Sequence, residues 1–117
     1  VLDRYIKRHT PENEIMLACD DVSIHVSPDM VVFCEAVGKK THVHLRDNVI
    51  VCNSGISAVK NMLPEEFVFC HRSYIVNMRY VRSIGKTDIM LDSGEKIPLS
   101  RRLYKDVNER FIKFYTG

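Results

Sequence analysis

The chain contains no tryptophan, and its five glycines and four prolines are too few for a collagen-like or low-complexity polypeptide. No apolar run approaches the roughly 20 residues that cross a bilayer as a helix, so a helical transmembrane protein is excluded. The N-terminus carries no secretory signal pattern. The four cysteines, Cys19, Cys34, Cys52 and Cys70, are spaced 15, 18 and 18 residues apart and form no C-x-x-C pair. A zinc ribbon or thioredoxin-like site is therefore disfavoured. Each cysteine lies in an apolar, strand-like stretch and reads as a buried free thiol of an intracellular, cytoplasmic protein. Cys70, next to His71 and Arg72, is the one whose pKa could be lowered. Also missing are the phosphate-loop, dinucleotide, zincin and nucleophile-elbow motifs. Nothing here supports an enzyme, and no cofactor is implied.

What is present is one domain's worth of chain: 117 residues, 45% apolar and 27% charged. It begins at Val1 rather than Met, which reads as a piece of a longer polypeptide. The formal net charge is only +2. Residues 1–69, however, hold seven Lys/Arg against ten Asp/Glu, and residues 70–117 hold ten against five. A chain that goes from −3 to +5 hints at an anionic partner, although a solvated basic face has the same charge pattern.

Residues 1–13 read as a linker or a stub of interdomain helix, with Leu2, Tyr5 and Ile6 at helical spacing and Pro11 ending it. The domain then runs over 14–117. Short apolar stretches follow one another at hairpin spacing: Ile15–Ala18, Val22–Val26, Met30–Val37, Thr41–Arg46 and Val49–Cys52. Strict alternation in Val22-Ser23-Ile24-His25-Val26 is the mark of a half-buried strand. Ser27-Pro28-Asp29, Gly38-Lys39-Lys40 and Asp47-Asn48 supply turns. The period changes over 54–63, where Ile56, Val59, Met62 and Leu63 recur at helical spacing, with Asn53 or Ser54 as N-cap and Pro64 beyond the end. Further strands are expected at Phe67–Cys70, Tyr74–Val76, Tyr80–Ile84, Asp88–Leu91 and Lys96–Leu99, the last an edge strand because of Pro98. Ser100 reads as the N-cap of a C-terminal helix near 101–115, with Leu103, Val107, Phe111 and Phe114 on one face. The succession is mainly β and antiparallel, without a βαβ rhythm.

Two smaller groups have weak chemical readings. His42 and His44 share one strand face and could hold a metal given a third ligand, but a polar strand face explains them as well. Asp20-Asp21 reads as a turn without a partner.

Two segments carry more information. Phe67-Val68-Phe69-Cys70-His71-Arg72-Ser73-Tyr74-Ile75-Val76-Asn77 and Ile97-Pro98-Leu99-Ser100-Arg101-Arg102 each set an arginine beside a serine at the end of a short apolar strand. Such arginines can reach guanine O6 and N7, and serine and backbone N–H groups can bind phosphate oxygens. They can equally pair with surface carboxylates, and the residues alone leave both readings open.

Both segments resemble the LytTR DNA-binding domain, the output module of many bacterial two-component response regulators. The pattern F-x-x-x-H-R-S-Y-x-V-N runs in full from Phe67 to Asn77, and hydrophobic-P-x-S-R-R runs from Ile97 to Arg102. The hairpin with Asp92-Ser93-Gly94 between them fits, as does the upstream strand with Phe33 and Glu35. The resemblance extends over roughly residues 14–116. It implies a mainly β fold of about ten short strands in antiparallel sheets with little helix. It also implies sequence-specific double-stranded DNA binding by inter-strand loops in successive major grooves. The contacts it implies are Lys39, Lys40 and Thr41 in one loop, Arg72 in the second, and Arg101 with Arg102 in the third. Ser73 and Asn77 take structural or phosphate-contacting roles, and His71 and Tyr74 take packing roles. Promoter direct repeats bound by a homodimer of the full-length regulator are the implied partner arrangement, with no membrane. The receiver domain that usually precedes this module is not in the chain, and residues 1–13 would be the linker from it. The rival readings are a β-rich protein-interaction domain with a basic face, and a small metal enzyme built on His42 and His44.

Overall fold

The computed structural model describes residues 14–116, and the expected linker at 1–13 lies outside them. Ten strands form: β1 (Ile15–Ala18), β2 (Ser23–Val26), β3 (Val31–Val37), β4 (Lys40–Leu45), β5 (Val49–Cys52), β6 (Phe67–His71), β7 (Tyr74–Asn77), β8 (Val81–Ile84), β9 (Asp88–Leu91) and β10 (Lys96–Pro98). Among the described residues two α-helices accompany them, α1 (Ile56–Met62) and α2 (Tyr104–Thr116). All strand pairs are antiparallel. They form a ribbon of β1 and β2, a five-stranded sheet in the order β5-β4-β3-β7-β6, and a three-stranded sheet in the order β10-β9-β8. The fold is mainly β, as expected, and β10 with Pro98 is an edge strand.

Alternation along β3 explains the layering. Successive residues of a strand face opposite sides. Phe33 joins Val68, Val76, Ile89, Leu91, Ile97 and Val107 in one core, between the five-stranded sheet, the three-stranded sheet and α2. Cys34 joins Leu17, Val43, Val59, Phe67 and Ile75 in a second core, beneath β1 and α1. The central sheet thus buries both faces. Each fully buried large apolar side chain, such as Phe67, contributes roughly 1.5–3 kcal/mol.

Several local expectations are corrected. The residue capping α1 is Gly55, not Asn53 or Ser54. Those two are tied to the sheets: the Asn53 N–H donates to the Ala18 carbonyl at 2.7 Å, and the Ser54 carbonyl accepts the Thr41 hydroxyl at 2.8 Å. The Ser100 side chain makes no cap bond, because Arg101–Leu103 first turns as a 3₁₀ helix and α2 begins only at Tyr104. Val107 of α2 is buried, and Leu103 of the preceding 3₁₀ turn and Phe111 of α2 pack at the core's rim, but Phe114 is 40% exposed. The last turn is anchored instead by Tyr115, whose hydroxyl donates to the Met78 and Arg79 carbonyls at 2.9 and 3.1 Å. Ser27-Pro28-Asp29 leads into a 3₁₀ turn, Pro28–Met30. Cys19 lies just past β1 and is half-buried, whereas Cys34, Cys52 and Cys70 are buried free thiols.

Candidate nucleic-acid interface

Antiparallel pairing places alternate connections at opposite ends of a sheet, and main-chain hydrogen bonds bring four connections to one end. The first is the tight turn between β3 and β4, where Gly38 takes φ +62° and Val37 pairs with Lys40. A left-handed residue is needed there, and glycine adopts it without penalty. The second is the β6–β7 turn at Arg72-Ser73. It is joined to the first by the Ala36 N–H donating to the Ser73 carbonyl at 2.8 Å. The third is the loop before α2, held by the Ser100 N–H on the Cys70 carbonyl at 2.8 Å. The fourth is the β8–β9 turn Gly85–Thr87, held by the Leu99 N–H on the Thr87 carbonyl at 3.0 Å.

Lys39, Lys40, Arg72, Lys86, Arg101 and Arg102 all lie on these connections and are exposed. Lys40 pairs with Asp20, Nζ to Oδ2 at 3.3 Å, so the Asp20-Asp21 turn does have a partner. Among the described residues, no carboxylate lies within 4.0 Å of the charged groups of Lys39, Arg72, Lys86, Arg101 or Arg102. Lys86 was not legible as a site residue, because Gly85-Lys86-Thr87 reads only as a hairpin connection. The Leu99–Thr87 bond sets it beside Arg101, where Lys86, Thr87, Arg101 and Tyr104 line an open cleft of about 500 Å³.

Of the expected contact residues, Thr41 is turned inward and Asn77 takes the structural one of its two expected roles. Thr41 pairs with Ala36 and Cys52 across the sheet, points inward, and is fully buried with its hydroxyl on the Ser54 carbonyl. Asn77 is fully buried at the other end of β7. Its amide donates to the Val31 carbonyl at 2.9 Å, and its Oδ1 accepts the Arg79 N–H at 2.9 Å. Both side chains are fully buried and hydrogen-bonded within the fold. Ser73 is half-buried, with its N–H on His71 Nδ1 at 3.1 Å and its carbonyl on the Ala36 amide.

His71 and Tyr74 pack edge to face with ring centroids 5.7 Å apart. The Tyr74 hydroxyl donates to Glu35 Oε2 at 3.1 Å, and His44 Nε2 lies 2.8 Å from Glu35 Oε1. Burial first, and then the Glu35 carboxylate, push the Tyr74 phenol above its usual range. His44 also stacks on Phe33, centroids 4.0 Å apart. Among the described residues, no three His, Cys, Asp or Glu side chains converge on a metal position. Cys70 is not activated: burial pushes its thiol up to about 12, against the lowering suggested by its basic neighbours. Among the described residues, no helix is long and apolar enough to cross a membrane.

Exposed, unpaired cations on main-chain-anchored loops at one sheet end form a surface suited to a polyanion. The LytTr DNA-binding domain model matches residues 21–112. The chain belongs to the LytTr DNA-binding domain family. It is similar to the solved LytTr DNA-binding domain of a response regulator from Bacillus cereus, at 27% identity and a TM-score of 0.70, covering 86% of this chain and 96% of that one. It is 21% identical over 107 residues to the sensory transduction protein LytT of Bacillus subtilis, covering 86% of this chain and 44% of that protein. A response regulatory protein of Vibrio cholerae is 38% identical over 53 residues, covering 41% of this chain and 22% of that protein. The LytTr chain therefore spans less than half the length of the curated relatives it matches.

Proposed function

We propose that this LytTr domain reads double-stranded DNA by sequence, through its inter-strand loops in the major groove, as the output domain of a cytoplasmic two-component transcriptional regulator. The observation that carries the reading is the gathering of Arg72, Arg101, Arg102, Lys39 and Lys86 at one sheet end without carboxylate partners among the described residues. A surface of unpaired cations repels itself and is favourable when phosphates neutralise it. Arg101 and Arg72 are the base readers, since a guanidinium can hold guanine O6 and N7 with two hydrogen bonds. Arg102, Lys39, Lys40 and Lys86 are the phosphate contacts, and the half-buried Ser73 offers its hydroxyl. On promoter direct repeats, a homodimer of the full-length regulator places two such domains side by side.

The deciding experiment is selection of bound duplexes from a random library at moderate salt, followed by sequencing. An enriched motif, bound much more tightly than a scrambled duplex, is the expected result. A recovered pool without any motif, or saturable binding to an acidic protein with no retardation of DNA, would sink the reading.

A further inference from the structure

Among the described residues, Glu35 is the one carboxylate that touches both strands flanking β3. Its Oε1 meets His44 on β4 at 2.8 Å, and its Oε2 accepts the Tyr74 hydroxyl on β7 at 3.1 Å. The contacts continue along one line. Tyr74 packs on His71 at 5.7 Å, and His71 Nδ1 accepts the Ser73 N–H at 3.1 Å, inside the turn that presents Arg72. Phe33 lies under both ends, stacked on His44 at 4.0 Å and on Tyr74 at 6.2 Å. The half-buried carboxylate thus couples the hairpin carrying Lys39 and Lys40 to the turn carrying Arg72.

We propose that Glu35 is a positioning residue for DNA recognition: by bridging His44 and Tyr74 it sets the spacing between the β3–β4 loop and the β6–β7 turn. This rests on the DNA-reading function proposed above. Phosphate contacts tolerate small shifts of a flexible lysine, whereas a bidentate contact to a base edge does not. Loss of the bridge therefore costs discrimination more than overall affinity.

Glu35→Gln removes the charge and one acceptor, and Tyr74→Phe removes one hydroxyl, so both keep the packing. Two readouts decide. In the free protein, amide exchange should accelerate at Ala36, whose N–H bonds the Ser73 carbonyl. It should stay unchanged at Leu91, whose N–H bonds the Glu95 carbonyl in the other sheet. In binding, the preference for a selected duplex over a scrambled one should fall about fivefold in each variant, the weight of one hydrogen bond. Affinity for the scrambled duplex should hold. Equal acceleration at Ala36 and Leu91, an unchanged Ala36, or an unchanged preference would each overturn the proposal. If the unmodified protein prefers no duplex, the DNA-reading function has failed, and the exchange arm still decides whether Glu35 sets the loop spacing.

Discussion

The connections at the two ends of the stacked sheets differ in charge and in how many side chains help to tie them. At one end the connections carry Lys39, Lys40, Arg72, Lys86, Arg101 and Arg102 against Asp20 and Asp21. At the other they carry Asp29, Asp47, Glu65, Glu66, Asp92 and Glu95 against Arg46 and Arg79, with Arg110 and Lys113 of α2 lining a cleft beside Glu65 and Glu66. At the basic end the loops are held by main-chain bonds: Ala36 to Ser73, Ser100 to Cys70, Leu99 to Thr87 and Asn53 to Ala18. At the acidic end main-chain bonds (Arg46 to Met30, Met78 to Glu66 and Asp92 to Tyr80) are joined by several long-range side-chain ties. Asn77 binds the Val31 carbonyl, Tyr80 the Asp29 carbonyl, and Tyr115 the Met78 and Arg79 carbonyls. Main-chain anchoring leaves the basic side chains free to meet a ligand. On the proposed DNA-reading function, the contrast would separate recognition from stability along one molecule.

Salt is the strongest challenge to that contrast. If the four cations assigned to phosphates meet them, raising salt from about 50 to 200 mM should weaken DNA binding roughly a hundredfold. A flat salt dependence would mean that the charged end is not the contact surface. Next in size are Arg101→Ala and Arg72→Ala, each expected to cost about 1–3 kcal/mol on the preferred duplex and to blur one base position, with thermal stability unchanged. A titration against duplexes mutated base by base reads this directly. Asn77→Ala at the acidic end should show the converse. It should lose about 2 kcal/mol in urea unfolding, because it strands the Val31 carbonyl and the Arg79 N–H, with intact discrimination once folded. Loss of sequence preference by a folded Asn77→Ala protein would break the separation.

Between the two ends lie buried thiols that belong to neither. Burial holds Cys34 and Cys70 near 12 against an ordinary value of 9.0. The raised folded value means that the stabilisation is complete below pH 9 and is lost as pH rises from there toward 12. Unfolding free energy should fall above pH 9, by about 1 kcal/mol per thiol at pH 10, in a denaturant series across pH. At neutral pH an alkylating reagent should reach half-buried Cys19 first. The smallest effect is expected from Asp92→Asn with Glu95→Gln, which should change DNA affinity by less than about twofold, since exposed charges beyond a Debye length are screened.

Much of this was legible in the chain. Alternation located nearly every strand, because a residue facing the core and its neighbour facing away repeat with period two. Pro98 marked an edge strand, and the two arginine segments fall on exposed connections at one end of the sheet. What misled was local pattern without a partner. Thr41 beside two lysines resembled part of a basic loop, but its register against Ala36 and Cys52 turns it inward. Asn77 closes the most recognisable segment yet sits at the opposite end of β7 from Arg72. Cys70 between an apolar strand and two basic residues suggested activation, and burial outweighed the nearby charge.

The order of strands, the turn residues and the positions of the arginines follow from the amino-acid sequence, because hydrophobic period and turn chemistry act over a few neighbours. Which loops share an end, that Lys86 joins Arg101, and that Glu35 spans His44 and Tyr74 follow from the tertiary structure alone. Those relations depend on hydrogen bonds between residues far apart in the chain, such as Ala36 with Ser73, and on register across strands that no local spacing specifies.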